Sequence, residues 1–256
     1  MATNRVKYLA TIVSFLFAAP ILAGAALVAP ANAGVVQQAC VILLHGLTRS
    51  PSSMKKLDKA LSESGYLVRN TAYPSTEKPV DELASEVIPA AVESCNQEGD
   101  RPIHFVTHSM GGILIRYFLE TNELDNLGRV VMLSPPNQGS EVIDKLSDAP
   151  GFTAIHGPAG VQLGTGEDDV PSQLGPANFD VGIITGNRSI NIFLSMMIPG
   201  PDDGKVSIER AKLEGMADFL VVPHSHPFIM KRKLVIRQVL YFLEHGHFEK
   251  DEPGVD

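Results

Sequence analysis

The chain has 256 residues, enough for one well-cored domain, and its 44% apolar and 20% charged content is ordinary for a globular protein. A formal net charge of −8 argues against a nucleic-acid partner, which needs clustered Lys and Arg to neutralise phosphate. There is no zinc-type Cys/His spacing, no phosphate-binding Gly-Lys loop and no dinucleotide-type Gly pattern, so no metal or cofactor is expected.

The first segment reads as a targeting signal. Arg5 and Lys7 precede an apolar stretch running from about residue 9 to residue 28, and Ala31-Asn32-Ala33 supplies the small-x-small pattern of a signal-peptidase site. Residues 1–33 are therefore expected to be a signal peptide cleaved after Ala33, with export to the periplasm or beyond. The stretch is also long enough to act as a membrane anchor. Residues 34–256 form the expected single domain. Cys40 and Cys95 are the only cysteines, and an even count in an exported chain permits one disulfide. Two buried thiols are the alternative.

Strand-like and helix-like segments then alternate. Residues 41–44 (Val-Ile-Leu-Leu) form a continuous apolar run, as in a strand covered on both faces. Ser50-Pro51 opens a helix as N-cap and first helical residue; Met54, Leu57 and Leu61 share one face, and Gly65 ends it. Residues 66–72 read as a strand. Residues 80–95 read as a helix that Pro89 should kink. Strands follow at 103–107 and 129–133, with a helix over 113–120 between them. The pattern weakens over 147–180, a Gly/Pro-rich stretch expected to form an ordered excursion or a mobile cap. Strands resume at 181–185 and 219–222. Pro227 opens a long final helix, and the acidic tail after His247 is expected to fray. Parallel strands need crossover connections, so the alternation predicts an α/β fold: a mostly parallel central sheet with helices on both faces.

Thr107-His108-Ser109-Met110-Gly111-Gly112 lies where the third strand turns into a helix. A serine at such a turn stands clear of the backbone, where a base can reach its hydroxyl, so Ser109 is the candidate nucleophile. A serine needs a neutral imidazole to take its proton, a carboxylate to orient that imidazole, and N–H donors for the oxyanion.

His45-Gly46-Leu47, the motif around Ser109, Pro136-Asn137-Gln138-Gly139-Ser140, Asp203-Gly204-Lys205-Val206-Ser207 and Ser225-His226-Pro227, in this order, resemble the α/β-hydrolase superfamily. Within it they are most similar to bacterial lipases and esterases, including those grouped with triacylglycerol lipases. The nucleophile–acid–histidine order matches. One departure is Thr107, where the family's G-x-S-x-G pattern has its first glycine.

The resemblance implies Ser109 as nucleophile, Asp203 as acid and His226 as base. Asp202, Asp168, Asp169 and Asp180 are rival acids, and His224 is a rival base. It further implies an oxyanion hole from the backbone N–H groups of Leu47 and Met110. His45 is expected to brace that loop, and His45, His108 and Asn137 to border a substrate pocket. His104 is expected under the sheet, with His245 and His247 solvated. Residues 192–194 and 196–198, both apolar, either line an acyl pocket or belong to ordinary core. The implied activity is cleavage of a carboxylic ester, small or lipid, through an acyl-enzyme and without cofactor, with transient lipid-interface contact. An acyltransferase or amidase would use the same residues, and a non-catalytic binding protein would keep only the scaffold.

Overall fold

The computed structural model describes residues 39–250. The expected signal peptide, residues 1–33, lies outside the described residues. In chain order the elements are β1 (Cys40–Leu44), α1 (Lys55–Glu63), β2 (Leu67–Thr71), α2 (Val80–Asn96), β3 (Ile103–His108), α3 (Met110–Thr121) and β4 (Leu127–Leu133). Then follow α4 (Glu141–Leu146), α5 (Phe152–Val161), α6 (Val170–Gln173), β5 (Val181–Gly186), α7 (Ile192–Ser195), α8 (Ile208–Ala211), β6 (Asp218–Val222) and α9 (Lys233–His245).

The strands make one six-stranded sheet in the order β2-β1-β3-β4-β5-β6, with every pairing parallel. Successive side chains of a strand point to opposite faces, and the apolar runs use both. Cys40, Ile42 and Leu44 of β1 join a core with Phe105, Met132 and the inner sides of α2 and α3. Val41 and Leu43 join a second core with Leu57 and Leu61 of α1 and Val239 and Phe242 of α9. A sheet covered on both faces follows from strands apolar at every position.

Cys40 at the start of β1 and Cys95 near the end of α2 are joined by a disulfide, with Cα atoms 5.9 Å apart. β1 enters the sheet at this end, so the bridge sits away from the C-terminal strand edge.

In detail the element bounds follow the sequence expectations in some places and depart from them in others. Pro51 opens a 3-10 turn (Pro51–Ser53) rather than α1 itself, and the Ser50 hydroxyl makes no cap bond. α2 covers the expected residues, with Pro89 inside it and about two turns beyond. Residues 147–180 contain α5 and α6, and Phe152, Ala159, Leu163 and Val170 are buried in the first core. Alternation is hidden there because α5 is broken at Gly157 (φ 67°, ψ −174°), just before Pro158. The final helix is two pieces: a 3-10 segment (His226–Lys231) and α9, separated by extended Arg232. The tail is tied through Glu249, whose N–H donates to Gln238 Oε1, while Phe248 is buried.

Candidate active site

Ser109 joins β3 to α3 with φ 53° and ψ −122°, a conformation costly for a residue with a Cβ. Its N–H donates to Leu133 O at 2.9 Å, which anchors the turn to the neighbouring strand. The turn is tight because α3 lies close on β1: a Cβ on Gly111 would come within 2.7 Å of Leu44 O. Ser109 occupies the N-cap position of α3, yet its side chain caps nothing. Instead Ser109 Oγ lies 3.0 Å from His226 Nε2. Thr107 is fully buried at the departing position, and its Oγ1 fills space beside Gly112, 3.3 Å from where a Cβ there would stand.

His226 Nδ1 lies 2.8 Å from Asp203 Oδ2. A buried carboxylate on Nδ1 keeps the proton there and leaves Nε2 as acceptor for the serine hydroxyl. Asp203 is fully buried; its Oδ1 accepts from the N–H groups of Lys205 and Val206 at 3.0 and 2.9 Å, and its carbonyl accepts from His226 N–H at 2.9 Å. Acid and imidazole are thus locked by backbone as well as side chain. The acid loop does not follow a strand directly; it lies beyond α7, closed by an antiparallel bridge between Asp202 and Ser207. Both loops converge on Gly186, the last residue of β5. A Cβ there would collide with His224 O and come within 3.0 Å of Asp203 Cβ.

The structure brings none of the rivals into this hydrogen-bonded series. Asp202 accepts from Gly204 N–H and Ser195 Oγ, shaping the acid loop. Asp169 accepts from Gly166 N–H, and Asp180 faces Arg129 at 3.9 Å. The Asp168 carbonyl accepts from Gln173. The His224 carbonyl accepts from Arg188 N–H.

The expected oxyanion donors are the N–H groups of Met110 and Leu47. Met110 is the first residue of α3, so its N–H lies outside the helical ladder and at the positive end of the dipole. Leu47 lines the cavity, and its N–H has no acceptor among the described residues. The loop carrying it is braced from the segment after β2. Tyr73 Oη donates to the His45 carbonyl, the His45 and Tyr73 rings stack with centroids 4.0 Å apart, and Thr48 N–H donates to Ser75 Oγ at 3.1 Å. Thr48 has φ 55°, unusual for a β-branched residue, and the Ser75 bond holds it there. Sequence reasoning missed Tyr73 and Ser75, because nothing local marks a brace that acts across the sheet edge.

The expected pocket residues separate. His108 lines the cavity. Burial holds its pKa well below 6.5, so the ring is neutral and its Nε2–H donates to His226 O at 3.1 Å. His45 is not in the lining; its Nδ1–H donates to Gly46 O, and burial lowers its pKa also. Asn137 is not in the lining either. It is buried beneath the site, where it accepts from Arg116 Nη1 and donates to Ala211 O, a structural role set by the need to satisfy buried polar groups. Residues 192–194 and 196–198 are largely not core: Ile192, Phe193 and Met196 are 70%, 75% and 77% exposed, next to Ile190 at 68%. Ile190 and Leu194 line the cavity mouth. Among the described residues no three His, Cys, Asp or Glu converge as metal ligands would.

A parallel sheet, a strained serine at the β3–α3 turn and a histidine–carboxylate pair in late loops define a class of protein. The alpha/beta hydrolase family model matches residues 41–212, and the chain belongs to that family. Among solved structures the chain is similar to the mature form of a Bacillus licheniformis lipase, at 19% identity and TM-score 0.65, covering 84% of this chain and 96% of that one. It is similar also to phospholipase PlaB from Legionella pneumophila, at 19% identity and TM-score 0.60, covering 82% and 59% of the two chains. A metagenomic carboxyl esterase matches at 16% identity and TM-score 0.59, covering 76% and 66%. At such identities the likeness is one of fold. No curated protein matches the sequence.

Proposed function

We propose that this protein is an exported hydrolase of carboxylic esters that works through an acyl-enzyme on Ser109. The observation that carries this reading is the hydrogen-bonded series Ser109 Oγ, His226, Asp203, with spacings of 3.0 and 2.8 Å. In the proposed reaction His226 Nε2 takes the hydroxyl proton as Ser109 Oγ attacks the ester carbonyl. Asp203 stabilises the imidazolium through Nδ1–H. The N–H groups of Leu47 and Met110 receive the oxyanion. His226 then protonates the leaving alcohol, and the C–O bond breaks. A water molecule, deprotonated by the same nitrogen, releases the acid and restores the serine.

Two further observations support finer parts of the reading. The apolar rim of Ile190, Ile192, Phe193 and Met196 suits an ester with an apolar chain, including a lipid. The Cys40–Cys95 disulfide suits an oxidising compartment, as export would provide.

The test is Ser109→Ala on p-nitrophenyl esters. Loss of kcat by about a thousandfold or more is expected, with the fold intact by circular dichroism. A fluorophosphonate should label the wild type at Ser109 alone. Near-wild-type turnover by the variant would refute the assignment.

A further inference from the structure

The cavity beside Ser109 holds more positive charge than the acidic chain leads one to expect. Its lining includes Arg49 and Lys205, and its one carboxylate is Asp203. Asp203 is already committed, to His226 through one oxygen and to two backbone N–H groups through the other. Neither Arg49 nor Lys205 forms a salt bridge or side-chain hydrogen bond among the described residues. Other cations near the site do pair: Arg210 with Glu141 at 3.0 Å and Lys212 with Glu209 at 2.8 Å.

The backbone places both residues beside the loops that carry the reacting groups. Arg49 follows the oxyanion loop, two residues after Leu47, with its N–H on Gly46 O at 3.2 Å. Lys205 lies two residues after Asp203, its N–H on that carboxylate and its carbonyl accepting from Ser140 Oγ at 2.7 Å. The chain at each is held while the charged end stays unpartnered. Arg49 is exposed and Lys205 half-buried; burial and the Arg49 cation lower the Lys205 pKa, while the Asp203 carboxylate, already bonded to His226 and two N–H groups, raises it. A desolvated ammonium next to a like charge is unfavourable unless an anion joins it.

We propose that Arg49 and Lys205 form an anion subsite, and that the ester this pocket takes carries a carboxylate or phosphate near the scissile bond. This inference rests on the ester-hydrolase reading above. The anion would complete an arrangement the folded chain leaves positive, with a guanidinium to bind its oxygens in pairs and an ammonium as a point charge. Ile190 and Leu194 at the mouth would take the apolar part of the same molecule.

Two matched substrate pairs test it and separate the sources of the anion. p-Nitrophenyl hemisuccinate against p-nitrophenyl butyrate places a carboxylate on the acyl side. 1-Butyrylglycerol 3-phosphate against 1-butyrylglycerol places a phosphate on the alcohol side. The wild type should prefer the anionic member of at least one pair by about tenfold in kcat/KM, mainly through KM. Raising NaCl from about 10 mM to about 1 M shortens the Debye length from ~30 to ~3 Å and should compress that preference. The combined Arg49→Gln, Lys205→Gln variant should lose it, and Lys205→Arg should keep most of it. The anionic-to-neutral ratio is internal to each enzyme, so a general loss of activity cancels. Equal or better use of the neutral ester in both pairs overturns the subsite, as does a preference that survives the double variant. If the neutral esters are cleaved and Ser109 is labelled in those experiments, the hydrolase reading stands without the subsite. If no ester is cleaved and Ser109 stays unlabelled, both fall.

Discussion

The histidines of this chain are sorted by what surrounds each ring. His226 faces a buried carboxylate on one nitrogen and a serine on the other. His108, one residue before that serine, is held neutral by burial and adds no competing charge beside it. His104 is buried within β3, where its Nδ1 accepts Arg129 N–H at 2.7 Å, and burial with the Arg129 cation lowers its pKa to about 4. Its effect on stability has a definite sign. The unfolded imidazole takes a proton below its ordinary 6.5, while the folded one takes it only near about 4. Between those values the unfolded state binds more protons, so stability falls as pH falls. His104 should therefore remove roughly 2 kcal/mol between pH 7 and pH 5. His104→Asn keeps an acceptor for Arg129 N–H and has nothing to titrate, so its urea-unfolding free energy should fall by about that much less over the same interval. Equal losses in both proteins would refute the account. At this scale the hydrogen-bonded series of Ser109, His226 and Asp203 could be picked out, because each of its residues sits in a short signature. Tyr73 and Ser75 could not, because their bracing contacts depend on loops meeting in space. Asn137 misled for the same reason: it stands in a motif on the catalytic edge, yet Arg116 and Ala211 claim its polar atoms.

At the scale of elements, strands were the most legible feature, since residues apolar on both faces leave few other places to go. The helices that escaped notice are short or broken. α5 carries Gly157-Pro158 at its kink, and α7 and α8 have four residues each, too few for a period to show. The acid loop escaped in the same way, because Asp-Gly reads as a turn but gives no sign of the detour through α7 that precedes it. One covalent tie joins elements at the opposite edge. Cys40–Cys95 closes a sequence separation of 55 residues between β1 and α2. In the chain-entropy picture that bridge stabilises the fold by about 4 kcal/mol through the unfolded state. The Cys40→Ala, Cys95→Ala double variant should lose up to that amount in urea denaturation while keeping kcat/KM within about twofold, since the bridge lies away from the loops that carry Ser109, Asp203 and His226. A large loss of kcat/KM in the still-folded variant would show coupling between the two edges that packing alone does not suggest.

For the molecule as a whole, the distribution of polarity matters more than its total. The chain is acidic, yet two cations and a single carboxylate line the cavity, and exposed apolar side chains stand beside it. The Gly/Pro content of residues 147–180 suggests an ordered excursion or a mobile cap there. That segment exposes Ile155, but the main group of exposed apolar side chains is Ile190, Ile192, Phe193 and Met196, on the loop between β5 and the acid. Exposed side chains of that size are unfavourable in water and favourable at a lipid surface, where each loses apolar area to the acyl boundary. A surface that recruits this loop would also bring the ester to the cavity mouth that Ile190 and Leu194 line. Turnover of a glycerol ester should therefore rise steeply once the substrate exceeds its solubility and forms aggregates. Replacing Ile192, Phe193 and Met196 together by Ser should flatten that rise, with little change in the rate on dissolved p-nitrophenyl acetate. Each of the three removes an apolar side chain whose burial is worth about 1.5–3 kcal/mol, so their joint loss is enough to weaken adsorption by orders of magnitude. A saturation curve that passes smoothly through the solubility limit in the wild type would mean the rim contributes nothing to recruitment, and its exposure would then need another cause.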